Sequence, residues 1–204
     1  MSSIHDPKAS WLRTELILGG QKSGKSRRAE ALAQQWLQGD ASHQAVLLAT
    51  AVPADAEMQA RIARHQQERA RRAPRLQTEH APLYLAQALR RHSQPQTLVV
   101  VDCLTLWLTN WLMPPSVPGD GTENLPKTQD WQVQEALFLE ALTQARGPVV
   151  LVGNEIGLGV IPLGREVRAF VDALGVLNQR VAQVCDVLTL MVAGVPLAVK
   201  GRAA

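Results

Sequence analysis

The sequence predicts an α/β fold in which helices cover both faces of a mostly parallel sheet. Short apolar runs, each the length of a buried strand, alternate along the chain with longer stretches of helical periodicity. The chain has 204 residues, of which 46% are apolar, and this suits one domain with a full core. We therefore expect a single domain over residues 14–204, preceded by a flexible arm at residues 1–13.

The apolar runs predict the strands, and the helices lie between them. The strand runs are residues 16–18, 45–49, 97–101, 148–152 and 187–192, and a further run at 195–199 is compatible with one more strand. Helical spacing predicts helices over residues 26–37, from about 55 to 69, and over 82–91, 104–112, 131–145 and 164–182. The segment 114–127, rich in Pro and Gly, predicts a surface loop.

Composition narrows the classes of protein that this chain can belong to. The formal net charge of +3 is too small to indicate a nucleic-acid-binding protein by itself. Cys103 and Cys185 lie in apolar surroundings, which favours buried thiols over a disulfide or a zinc site. Residues 1–13 lack the apolar core of a signal peptide, and no apolar run is long enough to span a bilayer. We expect a cytoplasmic protein without a membrane span.

A glycine-rich turn joins the first predicted strand to the first predicted helix. It follows the phosphate-loop pattern of Gly, four residues, Gly, Lys, then Ser or Thr. The glycines let successive N–H groups surround phosphate oxygens, and the positive end of the following helix points at the same anion. Lys25 can reach the outer phosphates, and the Ser26 hydroxyl can bind Mg²⁺. The predicted nucleotide-binding residues of this turn are Gly19, Gly20, Gln21, Lys22, Ser23, Gly24, Lys25 and Ser26.

An acidic residue ends the third predicted strand. Asp102 follows the apolar run LVVV, and its carboxylate can hold Mg²⁺ directly or through water, opposite Ser26. The alternative is that Asp102 caps the helix that follows. Because ligands of parallel sheets gather at the carboxyl ends of the strands, the turns after the first four predicted strands should line one crevice.

A basic segment with one histidine follows the second predicted strand. Arg61, Arg64 and His65 are spaced three and four residues apart, so they share one side of a helix, and Arg69 lies one turn further on. Arginine can neutralise phosphate oxygens, and an unprotonated imidazole can attack phosphorus. The alternative is a solvated helix face, which is the more common use of such composition.

Read together, these segments resemble one enzyme family. They are GGQKSGKS, LLATA, DAEMQARIARHQQER, VVDCLTLWLTN, VLVGNEIGLGVIP and GVLNQRVA, in order from about Leu16 to Gly201. The chain resembles the bifunctional adenosylcobinamide kinase/adenosylcobinamide-phosphate guanylyltransferase family of cobalamin biosynthesis. Many kinases share the phosphate loop, whereas the Arg-Ile-two residues-His and Asn-Glu-hydrophobic-Gly segments are more specific. The fold class that this implies is a phosphate-loop, RecA-like domain.

The resemblance implies two reactions. A nucleoside triphosphate, ATP or GTP, phosphorylates the aminopropanol arm of adenosylcobinamide with the help of Mg²⁺. GTP then donates GMP to adenosylcobinamide phosphate through a guanylyl-histidine, which gives adenosylcobinamide-GDP and pyrophosphate. The resemblance further implies a homo-oligomer such as a trimer. The small net charge and the lack of aromatic residues in the basic segment 61–75 argue against a nucleic-acid partner.

The resemblance also assigns roles to individual residues. The histidine that would carry GMP is His65, and Lys25 is the second catalytic residue. Beyond the phosphate loop, the implied nucleotide contacts are Thr50, Ala51, Val52, Gln66, Gln67, Glu68, Arg69, Asp102 and a later acidic residue, for which Glu79 is preferred and His80 is the competing position. The implied metal ligands are Ser26 and Asp102.

The chain departs from the family pattern after the histidine. Ala70 follows Arg69 where a proline is expected, and Leu76 stands where the family has a tryptophan. Two rival functions stay open at this point. One is a phosphate-loop kinase of another small alcohol in which His65 has no covalent role, and the other is a nucleic-acid-binding ATPase module.

Several other residues have two alternative interpretations. Asn154 and Glu155 end the fourth predicted strand beside the crevice, where Glu155 has a role near the metal or caps a turn. Asn178, Gln179 and Arg180 match a family segment, and the alternative for them is a role on the helix surface. Trp107 and Trp111 are four residues apart on an apolar helix, which favours core packing over corrin binding.

Overall fold

The structure is a computed structural model that describes residues 14–114 and 128–201. The strands are β1 (Thr14–Gly19), β2 (Gln44–Ala49), β3 (Gln77–His80), β4 (Thr97–Asp102), β5 (Val149–Val152), β6 (Val187–Val192) and β7 (Val195–Lys200). The helices are α1 (Lys25–Gly39), α2 (Ala56–Arg72), α3 (Leu85–His92), α4 (Leu104–Leu112), α5 (Thr128–Thr143) and α6 (Arg165–Val184). The predicted arm at residues 1–13 and all but the first residue of the predicted loop at 114–127 lie outside the described residues.

The strands form one sheet in the order β3-β2-β4-β5-β1-β6-β7. The pairings from β3 through β6 are parallel, and β7 pairs antiparallel with β6. The predicted α/β class with a mostly parallel sheet is therefore confirmed. Strand β5 lies between β1 and β4, so one strand separates the glycine-rich turn from the acidic strand end.

Alternation of side chains divides the core into two layers. The α1 layer contains the apolar side of α1 packed on one sheet face, through residues such as Ala29, Leu32 and Trp36. The opposite layer contains α3, α4, α5 and α6. Helices thus cover both faces as predicted. Trp107 and Trp111 are buried in the second layer, which confirms their predicted core role.

Strand β3 was not predicted from the sequence. Its residues, QTEH, include no apolar side chain, so the patterns that identify buried strands miss it. It forms by parallel pairing with β2, in a register that sets Glu79 opposite Leu48 and His80 opposite Ala49. The consequence is that three strand ends, those of β3, β2 and β4, finish level with one another.

Both cysteines are free and buried, as predicted. Burial raises the pKa of the Cys103 thiol and of the Cys185 thiol to about 12, so both stay protonated near neutral pH. Within residues 14–114 and 128–201, no helix combines the length and the apolarity that crossing a bilayer needs.

Candidate nucleotide site

The turn between β1 and α1 has the backbone geometry that the phosphate-loop pattern predicts. Gly24 caps α1 with a φ of 101°, and Lys22 has a φ of 57°, so the turn uses left-handed conformations that direct N–H groups inward. A Cβ on Gly19 would lie 2.5 Å from the Met191 carbonyl oxygen, so a side chain at this position is excluded. The buried Ser23 hydroxyl has no hydrogen-bond partner among the described residues. Residues 19–24 thus form a compact cradle, and the Ser23 hydroxyl oxygen inside it is available to bind a ligand.

Lys25 is held inside this cradle. Its side chain is buried, and its Nζ donates a hydrogen bond of 2.6 Å to the Gly20 carbonyl oxygen. Burial lowers the pKa of Lys25 below its usual value, the negative charge of Asp102 opposes this change, and the positive charge of Arg61 adds to it. The ammonium therefore lies within electrostatic range of both the end of β4 and the middle of α2.

Asp102 is the half-buried last residue of β4, on the same sheet face as α1. Its electrostatic effect on Lys25 indicates that it lies near the start of α1, where Ser26 follows Lys25. Among the residues that the structure describes, no group of three His, Cys, Asp or Glu side chains could hold a metal. One hydroxyl and one carboxylate nevertheless fit Mg²⁺, which takes one or two protein ligands and completes its shell with phosphates and water.

Thr50 joins the ends of β2 and β4. Its hydroxyl donates a 2.7 Å hydrogen bond to the Cys103 carbonyl and accepts one of 2.8 Å from the Cys103 N–H. Its own carbonyl accepts a hydrogen bond from Asn110 of α4. The side chain is fully buried, and its hydroxyl already forms two hydrogen bonds with Cys103. The nucleotide contact predicted at Thr50 could therefore be made only by its main chain. Ala51 and Val52, which follow, are partly exposed beside it.

Helix α2 carries His65 and packs mainly through its carboxyl end. Asp55 caps its start by accepting a hydrogen bond from the Met58 N–H. Near its end Arg69 is buried, and Arg72 forms ion pairs with Glu30 of α1 and Glu68. The predicted nucleotide contacts Gln66 and Gln67 are exposed.

The position of His65 follows from its neighbours on α2. Arg61, His65 and Arg69 are spaced four residues apart and lie along one side of the helix. Arg61 acts electrostatically on Lys25, and Arg69 acts on Glu30, so both ends of this row face α1. His65 lies between them in this row, and its side chain is exposed.

The side chain of Glu79 forms ion pairs with α3 and not with the phosphate loop. Its carboxylate pairs with Arg91 and lies 2.6 Å from His92 Nε2, and both partners belong to α3. The hydrogen bond from His92 is the main reason that the pKa of Glu79 is lowered. The pairing of β3 with β2 sets His80 opposite Ala49, on the sheet face that carries Asp102, and sets Glu79 on the other face. A nucleotide contact by Glu79 would require these partners to be exchanged.

The segment after β5 adjoins the phosphate loop. The Glu155 N–H donates a 3.1 Å hydrogen bond to the Gly19 carbonyl, and the Asn154 N–H donates one of 2.8 Å to the Thr105 hydroxyl. Asn178 is buried and donates from Nδ2 to the Asn154 carbonyl, so it positions this segment instead of lying on the helix surface. Its helical spacing with Leu174, Leu177 and Val181 was the sequence signal for this burial.

Sequence reasoning missed a buried polar network under α1. Arg28 forms an ion pair of 2.9 Å with Glu15 of β1, and the Thr189 hydroxyl of β6 donates to the same carboxylate oxygen. These bonds attach the first turn of α1 to the two strands beneath it. A single acid within an apolar strand run was the available signal.

Comparison with known proteins shows which family this chain resembles. The family model described as cobinamide kinase / cobinamide phosphate guanyltransferase matches residues 15–199. The bifunctional adenosylcobalamin biosynthesis protein CobP of Pseudomonas aeruginosa is 44% identical over 192 residues, which is 92% of this chain and 98% of that protein. The protein CobU of Salmonella typhimurium is 33% identical over 91% of this chain and 98% of its own length. The crystal structure of the flagellar accessory protein FlaH from Methanocaldococcus jannaschii aligns with a TM-score of 0.46 at 10% identity, covering 93% of this chain and 79% of that one.

Proposed function

This chain belongs to the cobinamide kinase / cobinamide phosphate guanyltransferase family, and we propose that both reactions proceed at the candidate nucleotide site. The single observation that carries the assignment to this site is the phosphate-loop cradle, with Lys25 buried inside it and Asp102 beside it. Phosphoryl and nucleotidyl transfer depend on positioning and on neutralisation of charge, which these groups supply.

In the kinase reaction, the terminal hydroxyl of cobinamide attacks the γ-phosphorus of ATP or GTP. The bond from that phosphorus to the bridging oxygen breaks, the nucleoside diphosphate leaves, and the hydroxyl proton is released to water. Main-chain N–H groups of residues 19–24 and the Lys25 ammonium bind the phosphates. Ser26 and Asp102 would hold Mg²⁺, which neutralises charge on the phosphate oxygens when it is bound.

In the second reaction, the unprotonated His65 imidazole attacks the α-phosphorus of GTP. A phosphorus–nitrogen bond forms, the bond to the β-phosphate oxygen breaks, and pyrophosphate leaves. A phosphate oxygen of cobinamide phosphate then attacks the same phosphorus, which breaks the phosphorus–nitrogen bond and frees His65. Arg61 and Arg69, on the same side of α2, are placed to neutralise phosphate charge during this exchange.

The remaining nucleotide contacts are proposed for the same crevice. The main chain of residues 50–52 follows β2 beside the site, and Gln66, Gln67 and Glu68 come directly after His65 on α2. Of the two positions at the end of β3, the sheet register supports His80 over Glu79, because His80 shares the face of Asp102.

We further propose a cytoplasmic homo-oligomer without a nucleic-acid partner. The edge strand β7 supports self-association, since Val195, Leu197 and Val199 are each about half exposed along it. Light scattering on the full chain tests this proposal, and a monomeric mass would contradict it.

Incubation with α-labelled GTP tests the covalent step. We expect acid-labile, base-stable label on the wild-type protein, and none on His65→Ala. We also expect His65→Ala to keep the kinase activity on cobinamide, because its phosphate loop is intact. His43→Ala is the matched control, since His43 stacks on Trp36 at the far end of α1 and should leave labelling unchanged. No label on the wild-type protein would favour a kinase without covalent histidine chemistry, and label that persists in His65→Ala would mean that another residue carries the GMP.

A further inference from the structure

A cavity of about 460 Å³, open to solvent on one side, lies between α6 and the β5–α6 loop, residues 153–164. The loop lines it with apolar side chains, and α6 lines it with both polar and apolar ones. The lining includes Ile156, Val160, Ile161, Asp172, Val176 and Gln179. The cavity therefore combines an apolar wall with a wall that can form hydrogen bonds.

The cavity is a built feature, because the loop is attached to α6 at both of its ends. At the start, Asn178 Nδ2 donates a 3.1 Å hydrogen bond to the Asn154 carbonyl. At the other end, Arg168 Nη1 donates to the carbonyls of Pro162, at 3.0 Å, and Leu163. These bonds hold the loop across the helix and keep the space between them open.

The loop exposes apolar side chains to an unusual extent. Val160 is 96% exposed, Leu158 is 81% exposed and Ile161 is 76% exposed. Isolated apolar residues on a surface are ordinary, but a contiguous group beside a cavity is typical of a binding surface. The group needs an apolar partner to cover it.

The position of the cavity indicates which partner this is. The Glu155 N–H bonds to the Gly19 carbonyl of the phosphate loop, and Ile156, which lines the cavity, is the next residue. One edge of the cavity therefore adjoins the phosphate loop. The acceptor of the phosphoryl group must bind near this loop, because its hydroxyl has to reach the γ-phosphate.

We propose that this cavity binds the corrin ring of cobinamide, an inference that rests on the proposed function. The apolar side chains of the β5–α6 loop cover one face of the macrocycle. The Asp172 carboxylate accepts hydrogen bonds from its peripheral amide groups, and the Gln179 amide both donates to them and accepts from them. The aminopropanol arm extends past Glu155 towards the phosphate loop.

Steady-state kinetics of the full chain with ATP and cobinamide test the proposal. One variant is Val160→Asp, at a position so exposed that folding should be unaffected. Another is Gly175→Leu, because a Cβ at Gly175 meets nothing within 4 Å and a larger side chain would fill the cavity. We expect each to raise the KM for cobinamide at least tenfold with little change in the KM for ATP. The control is Val133→Asp, on the exposed side of α5, which should change neither.

The outcomes separate the cavity from the function. If wild type phosphorylates cobinamide and both variants keep its KM, the corrin ring binds elsewhere and the cavity proposal is overturned while the function stands. If wild type does not phosphorylate cobinamide at all, the function fails and the cavity proposal fails with it. Light scattering tests one more alternative. If Val160→Asp loses oligomer mass but keeps the KM for cobinamide, this surface is a contact between copies of the chain, and the cavity proposal is overturned.

Discussion

Glu30 of α1 and Arg72 of α2 form an ion pair, with Arg72 Nη1 3.3 Å from Glu30 Oε2. The glutamate is buried, whereas the arginine is nearly half exposed. The pair attaches the carboxyl end of the helix that bears His65 to the helix that follows the phosphate loop. Burial raises the pKa of Glu30, and Arg72 opposes that change.

Removal of this arginine should destabilise the fold in a pH-dependent way. We expect Arg72→Met to lower the free energy of unfolding by on the order of 1 kcal/mol at pH 7, because a buried carboxylate loses its counterion. A raised pKa in the folded state means that the charged carboxylate is the destabilising form. The loss should therefore shrink as pH falls and Glu30 becomes protonated. Urea unfolding at pH 7 and pH 4 measures this, and a double-mutant cycle with Glu30→Gln isolates the pair.

Lys25→Met should abolish the kinase reaction and leave a folded protein. Since burial lowers the pKa of Lys25 below 10.5, the folded state releases its proton more readily than the unfolded state does. The burial penalty is present at low pH and is relieved as pH rises through the folded-state pKa towards 10.5. The stability of wild type relative to Lys25→Met should therefore increase with pH above neutrality. Thermal unfolding between pH 7 and pH 10 measures this, and a decrease would contradict the assignment.

Thr50→Val should destabilise the protein by about 2 kcal/mol, because both the N–H and the carbonyl of Cys103 lose their partner. Thr50→Ser keeps the hydroxyl and should cost much less. The kinase rate should fall in Thr50→Val as well, since Asp102 precedes Cys103. Chemical denaturation and kinase assays on the same preparations test both effects, and equal stability of the two variants would count against the bridge.

Gly175→Ala should stabilise the protein by about 0.5–1 kcal/mol, because glycine in a helix interior costs conformational entropy and a Cβ here meets open space. Gly147→Ala is the opposing control. A Cβ at Gly147 would lie 2.1 Å from the Gln94 carbonyl oxygen, so that variant should be less stable than wild type. Unfolding curves in urea compare the three proteins.

His80→Ala should weaken GTP binding about tenfold, the loss expected for one hydrogen bond. Glu79→Gln should change the affinity less, because its carboxylate pairs with α3 on the other sheet face. Calorimetric titration with GTP measures both affinities. If Glu79→Gln weakens GTP binding more than His80→Ala does, Glu79 is the nucleotide contact.

The phosphate loop and the main strands could be predicted because their determinants are local. Glycine at fixed spacing and runs such as LVVV need no knowledge of distant residues. Strand β3 could not be predicted, since its hydrogen bonds come from β2, about thirty residues earlier in the chain. The orientation of Glu79 was missed for the same reason, because only the sheet register decides which face it occupies.

Some features of helix α2, which carries His65, could be predicted from the sequence, and others could not. Its existence and the shared side of Arg61, His65 and Arg69 follow from spacing alone. Spacing does not say what this side of α2 packs against. The carboxyl end of α2 packs near Glu30 of α1, more than thirty residues earlier in the chain, and this contact could not be predicted. The burial of Asn178 likewise depends on its contact with Asn154 after β5.

The bond from Lys25 to the Gly20 carbonyl has a consequence for nucleotide affinity. An ammonium has three N–H donors, and the turn occupies one of them before any nucleotide arrives. The other two can bind phosphate oxygens while the first keeps the long side chain in one conformation, so little rotamer entropy is lost on binding. The lysine is thus preorganised for each of the triphosphates that this family uses.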